Sequence, residues 1–227
     1  MKITFIAHSG FAVEMESAVL VFDCWKDPAG VVPPLFKKEK PVYFFVSHLH
    51  GDHFSQRIFD WKDQTAQYIL HRDCVPCVPV ENAHWMDPGG DFETAHFSVH
   101  MYGSTDAGGS YMIRTGEKTI FHAGDLNWWH WAGESDAENR HARDWYREEL
   151  SKISEKEVDA AFFPVDARQA PAREWGVKTF LEQVRVKELL VPMHAFGLRW
   201  CPSYEFRWKY EGIPLWIPGE EGDCIVK

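Results

Sequence analysis

The chain has 227 residues, 45% of them apolar and 15% aromatic, so it is long enough to bury a large core and too apolar to be disordered. A single domain spanning residues 1–227 is therefore expected. The formal net charge of -10 disfavours general binding to nucleic-acid phosphates.

The five cysteines and the N-terminus indicate the compartment. Cys74 and Cys77 form a CxxC pair, but no second pair completes a zinc ribbon, so free thiols in a reducing cytosol are expected, with redox use of the pair as the weaker alternative. Residues 1–8 are too soon interrupted by polar side chains for a signal peptide, and no apolar run approaches transmembrane length. A soluble, cytoplasmic protein is therefore expected.

Short runs rich in β-branched and aromatic residues predict strands along most of the chain. They cover residues 3–7, 11–15, 19–22, 42–46, 66–70, 83–86, 92–94, 97–102, 111–114, 118–121, 160–165, 189–191, 215–217 and 224–226. Helical periodicity is predicted over residues 55–61, 137–153, 178–184 and 204–210. Strands followed by mixed strands and helices, and then the same order again, predict two sheets covered by helices.

Candidate metal ligands follow the buried strand at residues 42–46 directly. In an extended segment residues two apart face the same way, so His48 and His50 can aim at one point. Gly51 permits a sharp turn, after which Asp52 and His53 can aim at a second point. Imidazole and carboxylate groups suit zinc or a similar divalent ion. A lone histidine would be better interpreted as a surface or hydrogen-bonded residue, but this spacing favours a metal site.

Further candidates stand at the ends of two later strands. Asp125 follows the predicted strand at 118–121, and His194 follows the one at 189–191. Alone, Asp125 could cap a turn and His194 could be a hydrogen-bonded interior residue. Strand ends converge on one edge of a sheet system, so these side chains and the first cluster are expected to meet in space.

These motifs together resemble the metallo-β-lactamase superfamily. The run His48-Leu49-His50-Gly51-Asp52-His53 is similar to its signature, His122-Ala123-Gly124-Asp125 to its later Gly-Asp motif, and Pro192-Met193-His194 to its last histidine motif. The opening His8-Ser9-Gly10-Phe11 and the strand ending at Asp23 resemble the branch of L-ascorbate-6-phosphate lactonase-like hydrolases. The resemblance extends over essentially the whole chain.

The resemblance implies an α/β fold, a four-layer αβ/βα sandwich with a metal site at one edge. It also implies hydrolysis of a small ester, lactone or phosphoester by a metal-activated water. One or two divalent ions are implied, zinc first, with manganese or iron as alternatives. The implied ligands are His48 and His50 for the first metal, Asp52, His53 and His194 for the second, and Asp125 as the bridge.

One stretch departs from the family pattern. Where the family usually has a histidine that completes the first metal site, this chain has Ser104. A hydroxyl is a poor zinc ligand, so three outcomes are open: Asp106 supplies a carboxylate, which would suit a harder ion such as manganese; the first metal binds weakly; or another histidine, His100 or His8, reaches in. A plain turn with self-bonding side chains is the alternative role of this stretch.

Other residues are expected around the cleft. With Asp52 and Asp125, His130 is a candidate catalytic residue, while Trp129, Arg168 and Ser104 are candidate substrate contacts. The alternatives are that the aromatic run at 128–131 packs on the following helix and that Arg168 forms a structural ion pair. The histidines at 71, 84, 96 and 141 are expected to have no site role.

Three functions therefore compete. A hydrolase of small molecules is favoured because no appended domain would cover a polymer. A nuclease or phosphodiesterase of the same superfamily would need a basic groove. A metal-binding or ligand-sensing protein without turnover is supported only by Ser104. Fold alone does not fix the substrate. The expected partner is a small molecule rather than a nucleic acid or a membrane, and association as a homo-oligomer is left open.

Overall fold

The computed structural model describes residues 1–116 and 118–227, whose strands make up two sheets. The strands are β1 (Lys2–Ala7), β2 (Gly10–Glu14), β3 (Val19–Phe22), β4 (Val42–Val46), β5 (Gln67–His71), β6 (Ala83–Met86), β7 (Asp91–Glu93), β8 (Ser98–Tyr102), β9 (Ser110–Thr115), β10 (Lys118–His122), β11 (Glu157–Pro164), β12 (Arg185–Met193) and β13 (Cys224–Val226). The α-helices are α1 (Asp136–Ser151), α2 (Trp175–Gln183) and α3 (Tyr204–Lys209), and short 3-10 helices cover Pro33–Lys37, Gln56–Trp61 and Ala167–Ala172. No helix in the described ranges is both long and apolar enough to cross a membrane.

Each sheet joins an antiparallel half to a parallel half. The first sheet has the order β13-β1-β2-β3-β4-β5-β6, and β3 to β6 run parallel. The second has the order β12-β11-β10-β9-β8-β7, and β10 to β12 run parallel. Because neighbouring parallel strands end at the same edge, the residues that follow β3 and β4, or β10, β11 and β12, are brought together.

The core lies between the two sheets and extends over their outer faces. In β4 the side chains of Tyr43 and Phe45 join the cluster shared with the second sheet, while Phe44 joins a separate cluster on the outer face. Phe45 packs edge-on against Tyr111 of β9, with ring centroids 5.4 Å apart. On the far side of the second sheet, Phe180 of α2 contacts β11 and β10 aromatics. A strand buried on both faces is what its unbroken apolar sequence predicts.

The predicted elements are found with small shifts at their ends. The segment after Ser55 forms a 3-10 helix, capped by the Ser55 hydroxyl. β11 begins at Glu157, earlier than predicted, because its polar first residues continue the ladder to β12 although they interrupt the apolar run. The strand predicted at residues 215–217 is wrong: Leu215 makes only an isolated bridge to Leu190. The turn expected between the strands predicted at 111–114 and 118–121, formed by Thr115, Gly116 and Glu117, includes Glu117, which lies outside the described residues.

Candidate metal centre

The polar side chains singled out in the sequence meet at one edge of the two sheets. His48 and His53 follow β4, Asp125 follows β10 and His194 follows β12. All four side chains are buried, although each is polar or charged. Burying such groups is costly unless they are paired or bind a metal, so their convergence marks a built site rather than a surface.

Asp125 stands at the centre of this cluster. Its Oδ2 lies 3.5 Å from His48 Nε2, while its Oδ1 lies 3.2 Å from His53 Nε2 and 3.5 Å from His194 Nε2. One carboxylate therefore faces three imidazole nitrogens, two from the segment after β4 and one from the segment after β12. This is the position that the family resemblance implied for the residue bridging two metals.

Three sets of side chains place their ligand atoms within 4.8 Å of one another. Asp125 and His53 belong to more than one of these sets, so the sets form one continuous cluster. The sets are His8, Asp52, His53 and His194; His48, His53 and Asp125; and His50, Asp106 and Asp125.

Unpartnered buried atoms show that the cluster fits a divalent cation. His53 Nε2, Asp125 Oδ1 and His8 Nε2 are inaccessible to solvent and have no hydrogen-bond partner among the described residues. Leaving such atoms unsatisfied costs about 1–3 kcal/mol each. A cation held by imidazole nitrogens and carboxylate oxygens would satisfy them, and this donor set suits zinc or manganese.

Two further carboxylates orient the histidines from behind. Asp23, at the end of β3, accepts from His53 Nδ1 at 2.8 Å and from the Ser47 backbone N–H and hydroxyl at 2.8 and 2.7 Å. Asp166, at the end of β11, lies 3.2 Å from His194 Nδ1. Because each carboxylate holds one ring nitrogen, the other nitrogen of each ring faces Asp125. The sequence motifs predict no ligand role for Asp23; its position at the end of a strand parallel to β4 is the signal that points to it.

The electrostatics of the cluster are those of coupled ionised groups. Burial, together with the neighbouring His53, lowers the pKa of His48 to about 4. Burial alone would lower the pKa of His53, but the carboxylates of Asp125 and Asp23 raise it to about 10. Burial would raise the pKa of Asp125, but His53 and His194 hold it well below its usual range. A cation that binds here would therefore displace a proton from His53.

The backbone at this edge is strained at several site residues. His8, Asp23 and His194 have φ angles of 56°, 40° and 55°, in the left-handed region that ordinary residues avoid. Each such residue costs roughly 1–3 kcal/mol and persists only where the surrounding structure enforces it. The backbone strain that places these three side chains at the cluster thus lowers the stability of the fold.

Three residues were candidates for the third ligand beside His48 and His50, and the structure places them differently. His100 lies on β8 and is held by Asp91 at 2.8 Å, so the alternative that His100 reaches the cluster is wrong. His8 does reach it, but on the other side, 3.4 Å from Asp52. Asp106 lies 4.0 Å from His50 and completes a set with Asp125. Of the alternatives, only Asp106 is placed beside His50.

Ser104 itself is buried in a turn. Its hydroxyl accepts from the Asp106 backbone N–H at 3.4 Å, which is the self-bonding arrangement considered as its alternative role. Among the described residues, those lining the cavity next to the cluster include Thr105 and Asp106 but not Ser104. The structure therefore gives no support to direct contact between Ser104 and a substrate.

A cavity of about 350 Å³ opens over the cluster. Trp129 and Trp131 stack with ring centroids 5.7 Å apart along its wall, and Trp129 lies 5.4 Å from His194. His130 instead packs against Trp175 at 4.6 Å and is not among the lining residues of the described chain. His130 is turned toward Trp175, so the structure gives no support to its predicted catalytic position.

Arg168 lines the same cavity and is also ion-paired. Its Nη2 donates to Asp166 Oδ2 at 2.6 Å, and its guanidinium lies 3.4 Å from the centroid of Phe196 and 5.4 Å from that of Trp131. Burial would raise the pKa of Asp166, but His194 and Arg168 lower it to about 2. The structural ion pair is therefore present, and it holds the Arg168 guanidinium at the cavity wall.

Comparison with known sequences gives related proteins of one kind. No family model matches the chain. It is 28% identical over 141 residues to a UPF0173 metal-dependent hydrolase of Alkaliphilus metalliredigens, an alignment that covers 55% of this chain and 63% of that protein. A similar protein of Symbiobacterium thermophilum is 25% identical over 203 residues, covering 86% of this chain and 84% of that one. The alignments with the first relatives thus span only about 62–63% of their length.

Solved structures share the fold over nearly the whole chain. The metallo hydrolase Igni18 of Ignicoccus hospitalis has a TM-score of 0.66 at 16% identity, covering 99% of this chain and 97% of that one. The metallo-β-lactamase fold protein YhfI of Bacillus subtilis has a TM-score of 0.64 at 14% identity, covering 99% and 98%. The chain therefore has the metallo-β-lactamase fold and is similar in sequence to UPF0173 metal-dependent hydrolases.

Within this fold the chain has an asymmetric cluster of candidate metal ligands. The side served by His53 and His194 also receives His8 and Asp52; His53 and His194 are buried, and His8 and Asp52 are partly buried. The side served by His48 and His50 has Asp106 as its third group, and both His50 and Asp106 are exposed. The expected αβ/βα sandwich is present, with 3-10 segments rather than long α-helices covering the outer face of the first sheet.

Proposed function

We propose that this protein is a metal-dependent hydrolase of a small ester, lactone or phosphoester. The observation that carries the proposal is the convergence of three histidine nitrogens on Asp125, at distances of 3.2 to 3.5 Å, beside an open cavity. Zinc is the expected metal, with manganese or iron as alternatives. The proposed ligands are His48, His50, Asp52, His53, Asp106, Asp125 and His194, with His8 beside the second position.

A divalent cation bound here would lower the pKa of water and polarise the attacked carbonyl or phosphoryl oxygen. Asp52 borders the cavity, and the His8 ring 3.4 Å away keeps the pKa of Asp52 well below its usual range, so it is a carboxylate at neutral pH. It is placed to accept a proton from the attacking water and return it to the leaving oxygen. The water oxygen joins the carbonyl carbon or phosphorus, the bond to the leaving oxygen breaks, and the acid product carries the remaining proton.

The cavity sets the size and character of the proposed substrate. Its volume of about 350 Å³ suits a small molecule, near the lower end of the usual range for ligand sites. The stacked Trp129 and Trp131 offer a flat apolar wall, and Arg168 places one cation at its edge. A substrate with one planar or apolar portion and one partial negative charge fits this lining.

The nuclease alternative is less well supported by the same lining. Three carboxylates, Asp52, Asp106 and Asp125, border the cavity, whereas Arg168 is the one arginine or lysine among its described lining residues. With the net charge of -10, this surface repels a polyanionic backbone more strongly than it attracts one. A metal-binding protein without turnover would not need the open cavity beside the cluster, so the cavity favours an enzyme.

The test combines metal analysis with hydrolysis. Purified protein is expected to contain divalent metal and to hydrolyse members of a panel of lactones, carboxylic esters, thioesters and phosphodiesters. Asp125→Asn is expected to lose bound metal and to reduce kcat/KM by more than ~100-fold, since even outer partners of metal ligands change affinity or activity 10- to 100-fold.

The matched control is Asp159→Asn, which changes a buried carboxylate at the opposite end of the second sheet. It is expected to retain metal. Protein that binds no divalent ion, or an Asp125→Asn variant with wild-type turnover, would refute the proposal.

A further inference from the structure

A second and larger cavity adjoins the metal cluster. It has a volume of about 560 Å³, and two of its lining residues, Asp52 and Phe196, also line the cavity that contains Asp125. The Phe196 ring lies 5.0 Å from His8 and 5.1 Å from His194, and its backbone φ is 46°. Phe196 is therefore held in a strained conformation at the boundary between the two cavities.

The lining of the larger cavity is mainly aromatic and aliphatic. Pro192, Met193 and Trp200 are buried, while Phe5, Trp25, Phe196 and Ile217 are partly or largely exposed. An apolar ligand that covered them would gain roughly 25 cal/mol for each Å² removed from water. The apolar lining residues used here are Phe5, Trp25, Met193, Phe196, Trp200 and Ile217.

The charged groups at this cavity already have partners. Lys26 pairs with Glu221 at 4.0 Å, and Arg199 donates to the Ile217 carbonyl at 2.8 Å. By contrast, the buried indole N–H of Trp25 has no hydrogen-bond partner in the described part of the chain. The cavity therefore offers mainly apolar surface, because its charged groups, including Asp52 beside His8, are already engaged.

We propose that the larger cavity is a specificity pocket for an uncharged apolar portion of the substrate, an aliphatic acyl or alkoxy chain. The scissile ester or lactone bond then lies over the metal cluster, and the apolar chain passes Phe196 into the pocket. This inference rests on the proposed hydrolase function, and it narrows the substrate class from small esters, lactones and phosphoesters to carboxylic esters and lactones with a medium-length apolar chain.

The first experiment measures hydrolysis by the metal-loaded protein of two ester series. One series lengthens the acyl chain from acetyl to octanoyl on a fixed alcohol, and the other lengthens the alcohol on acetate. We expect kcat/KM to rise by up to about tenfold for each two methylenes in one of the series, because each buried methylene favours binding by a nearly constant amount. The series that rises identifies which side of the bond enters the pocket.

Variants locate the effect. Ile217→Trp adds bulk inside the pocket and is expected to flatten the dependence on chain length. The matched control is Ile213→Trp, from the same C-terminal segment, which lies at other surface cavities and is expected to keep the wild-type dependence. The pocket would be refuted if the dependence of kcat/KM on chain length were unchanged in Ile217→Trp, or if both variants weakened it equally.

A binding measurement separates this inference from the proposed function. Calorimetry with acetate, butyrate, hexanoate and octanoate is expected to give affinities that increase with chain length in wild type and not in Ile217→Trp. Such binding without hydrolysis would refute the hydrolase proposal and support the pocket. If the protein hydrolyses esters but neither kcat/KM for the esters nor the affinity for the acids depends on chain length, the hydrolase proposal is supported and the pocket is refuted.

Discussion

The substitution Asp23→Asn tests how the fold orients the proposed metal ligand His53. In the native site one carboxylate oxygen accepts from the Ser47 backbone N–H at 2.8 Å, and the other accepts from His53 Nδ1 at 2.8 Å. Since the Ser47 N–H can only donate, the amide oxygen of an asparagine must stay on that side. The amide NH₂ then faces His53 Nδ1, which must become an acceptor.

The expected consequence is a change of tautomer. With Nδ1 accepting, the neutral His53 ring carries its proton on Nε2, the atom 3.2 Å from Asp125 that would bind the metal. Outer partners of metal-binding histidines typically contribute 10- to 100-fold in affinity, or about 1.4–2.7 kcal/mol. We therefore expect Asp23→Asn to weaken zinc binding by that factor, measured by competition with a chelator of known affinity.

A stability measurement completes this test. Urea denaturation of the metal-free variant shows whether weaker binding follows from partial unfolding. The comparison variant is Asp159→Asn, another buried carboxylate that accepts a backbone N–H, from Thr119, away from the cluster. A folded Asp23→Asn protein that binds zinc as tightly as wild type would show that the carboxylate does not set the tautomer of His53.

Three further predictions concern backbone fit, pH and metal preference. Gly108→Ala would place a Cβ inside contact distance of the Ser47 carbonyl oxygen and His48 Cβ at a φ of 69°, so denaturation should show a loss well above the roughly 1–2 kcal/mol of left-handed strain alone. Burial would raise the pKa of Glu174, but its hydrogen bonds from Ser203 lower it below the usual 4.5. A depressed folded pKa stabilises the fold above the unfolded pKa, and this contribution is lost as pH falls through the folded value, so Glu174→Gln should cost more stability at pH 7 than at about pH 3. Asp106→Ala should reduce manganese binding more than zinc binding in calorimetry, because a carboxylate favours the harder ion.

Each of these predictions has its own control. Gly30→Ala has a similar φ of 65° with nothing within 4 Å of the added Cβ, so it isolates backbone strain; an equal loss in both alanine variants would remove the steric argument. For Glu174, equal destabilisation at both pH values would contradict the sign of the pKa shift. For Asp106, unchanged stoichiometry and affinity for both metals would remove this residue from the site.

The sequence predicted the candidate metal ligands well where they lie within a few residues of one another. The period-two spacing of His48 and His50, followed by Gly51, Asp52 and His53, was sufficient to predict a metal cluster at the end of a strand. Strand positions were predicted closely because apolar runs and turn residues are local signals. Prediction failed for residues 215–217, where an apolar run makes only one bridge, and the structure gives no support to the catalytic position predicted for His130, which is turned toward Trp175.

What the sequence alone determined was the type of site: imidazoles and carboxylates at strand ends, in a chain long enough for a two-sheet fold. Only the tertiary structure decided which groups meet. It placed His8, from the first hairpin, beside Asp52 and excluded His100, which is held by Asp91 on another strand pair. It also revealed Asp23 as the partner of His53, 30 residues away along the chain. The Asp23–His53 contact depends on the parallel alignment of β3 and β4, and the His8–Asp52 contact depends on how separate segments meet at one edge, which are non-local properties that no short motif contains.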